Sequence, residues 1–328
     1  MNNNIFLVFE SSIILALNKN RKGARMDITR RQFAIACGAA FMVSPTISAR
    51  TQATAIKNPP IRLKTGRMIP TLGMGTWTLA AGQRPLEQEE EALATGLDLG
   101  LNLIDTAELY SSGKAEEMVG RVIKKAGTKP YVVSKVMPSH ATKAEDIRNA
   151  CKNSLQRLGL KQMDLYLLHW RGGISNLKTV VDTFEELKSE GAIVDWGVSN
   201  FSVNDMNDLF SLEKGDQCAT NQVEYSLVDR SIEGGLLDWS KNNAMPIMAY
   251  SPLGSGKTPL LQNAVLKDIA QKHQMTAAAI AIGWTIRNNF TISIPQSGSP
   301  AHCRKNSAAL SLHLDEDDLA RLDKAFPI

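Results

Sequence analysis

The sequence predicts a closed (β/α)8 barrel, and three observations carry that prediction. Eight short apolar runs recur along the chain, most about 30 residues from the next. Between them lie amphipathic stretches whose apolar positions repeat at three and four residues, several of them ending in glycine as helices do. Such alternation implies right-handed βαβ units and a parallel sheet, and eight units across about 250 residues match the size of a barrel. A doubly wound open sheet is the alternative. It needs a Gly-x-Gly-x-x-Gly loop after its first strand, and "GMGTWT" has no third glycine.

The elements follow in order. After the turn-bearing segment "IRLKTGRMIPTLGMGTW", the first strand is "LGMGT", from Leu72 to Thr76, and "RPLEQEEEALATGLDLG" is the helix behind it. The second strand, "LNLID", ends at Asp105, with Tyr110 in the loop beyond; "KAEEMVGRVIKKAG" is its helix. The third, "YVVSKV", carries Lys135 at its end and precedes the helix "KAEDIRNACKNSLQRLGL". The fourth, "MDLYLLHW", ends at His169 and is followed by "KTVVDTFEELKSEG". "AIVDWGVSN" ends at Ser199 and Asn200, "CATNQVEY" at Gln222, "MPIMAYSPLG" at Tyr250 and Ser251, and "FTISIPQSG" at Pro295 and Gln296.

Composition sets the outer limits. With 328 residues, 43% hydrophobic and 21% charged, the chain can bury a large core. Its net charge of +4 is unevenly spread. Residues 1–55 hold Lys19, Arg21, Lys22, Arg25, Arg30, Arg31 and Arg50 against Glu10 and Asp27, a net +5, which leaves residues 56–328 at −1. The body therefore lacks an electrostatic footprint for nucleic acid.

Residues 1–55 read as a leader and residues 56–328 as a single barrel domain. Arg30 and Arg31 precede an apolar stretch from Phe33 to Val43 and then small residues, the order of a secretory signal resembling the twin-arginine type. That stretch is shorter than the roughly 20 apolar residues of a membrane-spanning helix. The best cleavage site is "ATA", Ala53 to Ala55, with Ala49 next, and Met26 is the expected true start. The implied partner is the twin-arginine export machinery and the implied location the periplasm or beyond; an unused leader would leave the protein in the cytoplasm. Cys37 falls within the leader. The body keeps Cys151, Cys218 and Cys303, an odd and widely spaced set that builds neither a disulfide framework nor a metal site.

In a barrel, residues just beyond the strand ends share one mouth whatever their distance in sequence. Singly, each has an ordinary reading: Asp105 as a cap or loop acid, His169 as a core histidine, Tyr110 as packing. Lys135 is different, because an unpaired ammonium inside an apolar strand costs several kcal/mol, so it requires a carboxylate such as Asp105. Together the four form a proton-transfer site. The ammonium is expected to lower the phenol's pKa, the carboxylate to anchor the ammonium, and a neutral His169 to orient a carbonyl oxygen.

These residues carry a family resemblance. "DTAELYSSGKAEEMVG" resembles the D-T-A-x-x-Y-x-x-G-x-x-E-x-x-x-G signature of the aldo-keto reductases. "VSKV" and "MDLYLLHW" are similar to that family's lysine and histidine strands, and "GVSNF", "NQVEYS" and "AYSPLGSG" to its nicotinamide and pyrophosphate segments. The likeness runs from about Ile61 to Leu310. It implies reduction of a small-molecule carbonyl with NADPH, Tyr110 being the proton donor and Lys135, Asp105 and His169 its support. By the same matching, Gly75, Thr76 and Asp105 border the nicotinamide, Ser199, Asn200 and Gln222 hold its carboxamide, and Tyr250 stacks on it. Ser251, Pro252, Leu253, Gly254 and Ser255 would follow the pyrophosphate. Ile294, Pro295, Gln296, Ser297, Gly298, His302 and Asn306 would border the adenosine end. Trp77, Trp170 and Phe201 are candidate substrate walls beside Tyr110 and His169, or else core.

Two departures stand out. Many family members read I-P-K-S at strand eight with an arginine six residues after the lysine, and the two basic groups grip the 2′-phosphate. Gln296 and His302 occupy those places here, while Arg304 and Lys305 lie on other faces of the turn, so NADH is an alternative to the favoured NADPH. Arg171 follows "HW" where proline is common, and either favours anionic substrates or points to water. The sequence stops at "LDKAFPI", soon after the last helix pattern, from which an open mouth and a broad substrate range are expected. A nucleotide-binding sensor on the same barrel, with little turnover, is the rival reading.

Overall fold

The computed structural model describes residues 58–256 and 258–328. The expected signal peptide, cleavage sites and start at Met26 lie outside the described residues.

A two-stranded antiparallel hairpin, β1 (Ile61–Arg62) and β2 (Met68–Ile69), precedes the barrel. Eight parallel strands follow: β3 (Met74–Gly75), β4 (Leu103–Asp105), β5 (Tyr131–Val136), β6 (Met163–Leu168), β7 (Ile193–Ser199), β8 (Asn221–Glu224), β9 (Ile247–Tyr250) and β10 (Thr291–Ser293). They neighbour one another in chain order. Leu72 bridges Ser293 and Gly75 bridges Gln296, both in parallel, so the last strand meets the first and the sheet closes. Gly75 is required for that seam, since a Cβ there would stand 2.9 Å from the Ile294 carbonyl oxygen.

Helices occupy the connections. They are α1 (Leu86–Asp98), α2 (Lys114–Ala126), α3 (Ala144–Leu158), α4 (Leu177–Ser189), α5 (Val203–Phe210), α6 (Leu236–Asn242), α7 (Ala264–Lys272), α8 (Ala277–Thr285), α9 (Pro300–Ser307) and α10 (Glu316–Ala325). Each predicted run encloses its strand, and most strands are shorter than their runs. β3 keeps two residues of "LGMGT", and β8 begins at Asn221 rather than Cys218. Apolar character at Cys218 and Ala219 reflects burial ahead of the strand, not ladder pairing.

Strand alternation decides which side chains reach the barrel interior. Leu103, Tyr131, Val133, Leu165, Leu167, Met248, Ile292 and Ile294 pack together inside, joined by Ile61, Leu63 and Ile69 of the hairpin segment, which plugs the end where the strands begin. Ile104, Val132, Val136, Tyr166 and Leu168 face the helix layer instead. Extending the inward register by two residues on each strand reaches Asp105, Lys135, His169, Tyr250 and Gln296. A period of two thus delivers all five to the same end of the barrel.

Candidate active site

At that end is a cavity of about 510 Å³, within the range of small-molecule sites. Asp105, Tyr110 and His169 line it. Lys135 lies just beneath, fully buried, and donates at 2.8 Å to both Asp105 carboxylate oxygens and to the Thr106 carbonyl. Its fourth contact is the Tyr110 Oη, at 3.1 Å. The His169 ring meets the Tyr110 ring edge-on, centroids 5.6 Å apart. The four residues are therefore one cluster, as strand ends alone had indicated.

Loop chemistry holds Tyr110 in place. Ser111 and Ser112 both have left-handed φ, 50° and 54°, immediately before Gly113 at 86°. The Ser111 hydroxyl donates to the Leu79 carbonyl at 2.8 Å, and the Thr76 hydroxyl to the Asp105 carbonyl at 3.0 Å, tying the Tyr110 loop to the one after β3. On the other side, the Glu108 Oε1 accepts from the Met137 backbone N–H at 2.7 Å, fastening the loop to the exit of β5. Glu116, eleven residues beyond Asp105 in the signature, is buried, accepting from Ser134 at 2.5 Å and from Arg157 at 2.6 Å.

The electrostatics agree with the expected roles on two counts and correct a third. Burial opposes the Lys135 charge, but Asp105 and then Tyr110 outweigh it, and the ammonium's pKa is raised. His169 is pushed down to about 3, by burial first and the Lys135 charge second, so its imidazole is neutral at ordinary pH. Tyr110 was expected below the ordinary phenol value. It is instead raised: burial is the largest influence, Lys135 pulls it down, and Asp105 pushes it up. The ammonium and its carboxylate act on the phenol in opposite directions, and desolvation is the largest influence.

Most of the remaining expected residues also line the cavity. Gly75, Thr76, Ser199, Asn200, Gln222 and Tyr250 do so near the tetrad. Ser251, Pro252, Leu253 and Ser255 do so along one arm, facing Ile294, Pro295 and Gln296. Asn200 adopts left-handed φ of 59°, which asparagine tolerates, and bridges the mouth. Its amide donates to the His169 carbonyl and the Ser199 hydroxyl, each at 3.1 Å, and its Oδ1 accepts from the Tyr250 hydroxyl at 2.9 Å. The Gln222 Nε2 donates to Asp105 at 2.7 Å, which leaves the Gln222 Oε1 free to accept from a ligand amide. A free amide acceptor beside the Tyr250 ring, at the head of a long arm, fits a nicotinamide nucleotide.

Some expectations need correction. Phe201 is not a substrate wall: Asn221 grips its backbone at 3.3 and 2.9 Å, and its ring, 1% exposed, packs in the core. Trp170 does not line the cavity but tilts against His169, centroids 4.9 Å apart, with 37% of its surface exposed. Gly254, Ser297, Gly298, His302 and Asn306 are not among the residues that line the cavity. Trp77 does line it, at 58% exposure, with Thr78 and Leu109, which the sequence reading missed. Their signal was position alone, Thr78 beside Trp77 and Leu109 beside Tyr110 in strand-end loops. Arg171 neither faces substrate nor stands free in water; it pairs with Asp205 at 2.6 Å and Asp208 at 2.7 Å.

A closed parallel barrel with a buried Asp–Lys–Tyr chain and a neutral histidine at its mouth defines a carbonyl oxidoreductase of the nicotinamide-linked kind. Residues 71–326 match the model of the aldo/keto reductase family, and the chain belongs to that family. It is 44% identical over 262 residues to methylglyoxal reductase YeaE of Escherichia coli K12, covering 79% of this chain and 92% of that one. It is 29% identical over 285 residues to glycerol 2-dehydrogenase (NADP(+)) of Saccharomyces cerevisiae, covering 78% and 88%. Among solved structures, an aldo/keto reductase from Klebsiella pneumoniae in complex with NADP and acetate superimposes with a TM-score of 0.78 at 41% identity, covering 82% and 96%.

Proposed function

We propose that this protein reduces small aldehydes and ketones to alcohols with NADPH, and that α-oxo aldehydes of the methylglyoxal type are among its substrates. The observation that carries the reading is the Lys135 Nζ at 3.1 Å from the Tyr110 Oη, with Asp105 clasping the same ammonium. The names of two relatives, a methylglyoxal reductase and an NADP-linked glycerol dehydrogenase, support it.

The nucleotide, when bound, supplies the hydride. Gln222, Asn200 and Ser199 hold its carboxamide and Tyr250 its ring, while the segment from Ser251 to Ser255 follows the pyrophosphate. The substrate's carbonyl oxygen lies between Tyr110 and His169. We assign the His169 proton to Nε2, because Nδ1 is buried without a hydrogen-bond partner among the described residues and an unpaired lone pair is the lesser cost. The neutral imidazole then donates to the carbonyl oxygen and orients it. As negative charge develops there, the Tyr110 Oη gives up its proton, and Lys135 stabilises the phenolate left behind. Trp77, Leu109 and Tyr110 make a mostly apolar entrance, suited to uncharged carbonyls.

Tyr110→Phe is expected to abolish NADPH consumption with 4-nitrobenzaldehyde while nucleotide binding, followed by fluorescence titration, stays within about twofold of wild type. Equal rates in the two proteins would overturn the assignment. The leader sequence, with Arg30 and Arg31 ahead of Phe33 to Val43, supports export by the twin-arginine route with the nucleotide already bound. Fractionation that finds only uncleaved protein in the cytoplasm would refute that location.

A further inference from the structure

The strand-eight segment supplies no lysine, and the structure shows what occupies its place. The Gln296 Nε2 donates to the Thr78 hydroxyl at 2.6 Å, so this side chain ties the loop after β3 to the exit of β10. Arg304 and Lys305 are in the last turn of α9, at the end where cations complement the helix dipole and away from its first turn.

In (β/α)8 barrels, phosphates commonly settle at the loops after the last two strands and at the N-terminus of a short helix there. Here that place is the loop from Ser297 to Ser299 and the start of α9, whose N-cap residue Ser299 gives its first turn no side-chain cap. Gly298 is the centre of the loop. A Cβ added to it would stand 3.3 Å from the Arg84 Cδ, 3.3 Å from the Glu89 Cγ and 3.2 Å from the Leu79 Cδ2. The bare glycine therefore leaves room for the Arg84 stem to cross. α1 packs against α9, which brings the Thr78–Arg84 loop to this helix start.

One further observation concerns the charge at this place. The Glu89 carboxylate is buried, with Oε2 accepting from the Ala80 N–H at 2.7 Å and Oε1 without a partner. A phosphate beside an uncompensated carboxylate binds only with a cation in attendance. Arg84 is exposed and makes no hydrogen bond or ion pair among the described residues.

We infer that Arg84, from the loop between the first barrel strand and α1, is the cation that recognises the 2′-phosphate of NADPH in this protein. The inference rests on the NADPH reading above and assigns the specificity for NADPH over NADH to a different element from strand eight. Arg84→Ala and Arg84→Lys are the variants. Binding of NADPH and of NADH is measured by fluorescence titration, with thermal melts to establish folding. Loss of a charge-assisted contact is expected to raise the NADPH Kd on the order of tenfold in Arg84→Ala, with a smaller rise in Arg84→Lys. The NADH Kd should stay within about twofold in both variants. Unchanged NADPH affinity in Arg84→Ala, or an equal loss for both nucleotides, overturns the inference. A wild-type protein that binds neither nucleotide would instead remove the cofactor reading on which it stands.

Discussion

Replacing Lys135 with methionine would test the buried pair at the centre of the site. The ammonium is fully enclosed, and the substitution keeps much of the stem's volume while removing its charge. Asp105, 2% exposed, would then keep only the Gln222 Nε2, at 2.7 Å, among its present side-chain donors. Stranding one member of a buried ion pair costs about 3–5 kcal/mol, and in a domain of this size each kcal/mol lowers Tm by roughly 2–4 °C. A fall of roughly 6–20 °C is expected. Turnover should drop further, on the order of 10²–10⁴-fold, because the Tyr110 phenolate would form with no cation beside it. The double variant Lys135→Met/Asp105→Asn removes both charges, so it should regain most of the stability and none of the turnover. Thermal melts and NADPH consumption with 4-nitrobenzaldehyde read the two effects separately. A single variant working within about threefold of wild type refutes the electrostatic role of Lys135. A double variant that melts no higher than the single one refutes the stranded carboxylate.

The neutral state of His169 has a pH consequence. Its folded pKa, about 3, lies below the ordinary 6.5, so the unfolded chain binds a proton that the folded one refuses between those values. That part of the stability is complete above about pH 6.5 and is lost as pH falls toward 3; His169→Gln should flatten the dependence, and an unchanged slope in the variant counts against a buried neutral histidine. For the same reason the wild-type reduction rate should show no His169 limb between about pH 5 and 8, and one that disappears in His169→Gln would contradict the assignment. The aromatics separate cleanly. Trp77→Ala should raise KM for aromatic aldehydes with little change in Tm, whereas Phe201→Ala should lose about 3–5 kcal/mol of stability and keep aldehyde selectivity. The opposite pattern would return Phe201 to the mouth.

The barrel was legible because two periods are written into the sequence, and neither depends on distant contacts. "YVVSKV" has an apolar face on both sides of the sheet, so a lysine within it had to be functional or paired, and it is both buried and paired. Alternation then placed Asp105, His169 and Tyr250 without further information. Phe201 failed for an instructive reason. It follows the left-handed Asn200, which turns the chain at the strand end, and Asn221 on the next strand fixes its backbone with the ring turned into the core. Arg171 was undecidable from its own segment, because its partners Asp205 and Asp208 belong to α5, more than thirty residues on. Arg84 was missed altogether. Its significance depends on a space above Gly298, more than two hundred residues away, and no periodicity encodes a missing methyl group.

The raised Tyr110 pKa changes how the tetrad is understood. A phenol that must give a proton to a forming alkoxide has first to possess one, and burial ensures that Tyr110 does. Lys135 acts on the other side of the transfer. The same burial that holds the proton on would make a bare phenolate very costly, and the ammonium at 3.1 Å offsets that cost where the charge appears. Asp105 weakens this pull on the phenol, yet without it the ammonium would itself be the group that desolvation neutralises. The three side chains therefore form a graded chain rather than an acid with a lowered pKa. The carboxylate keeps the lysine charged, the lysine makes the phenolate reachable, and the apolar surroundings keep the phenol protonated until a carbonyl arrives.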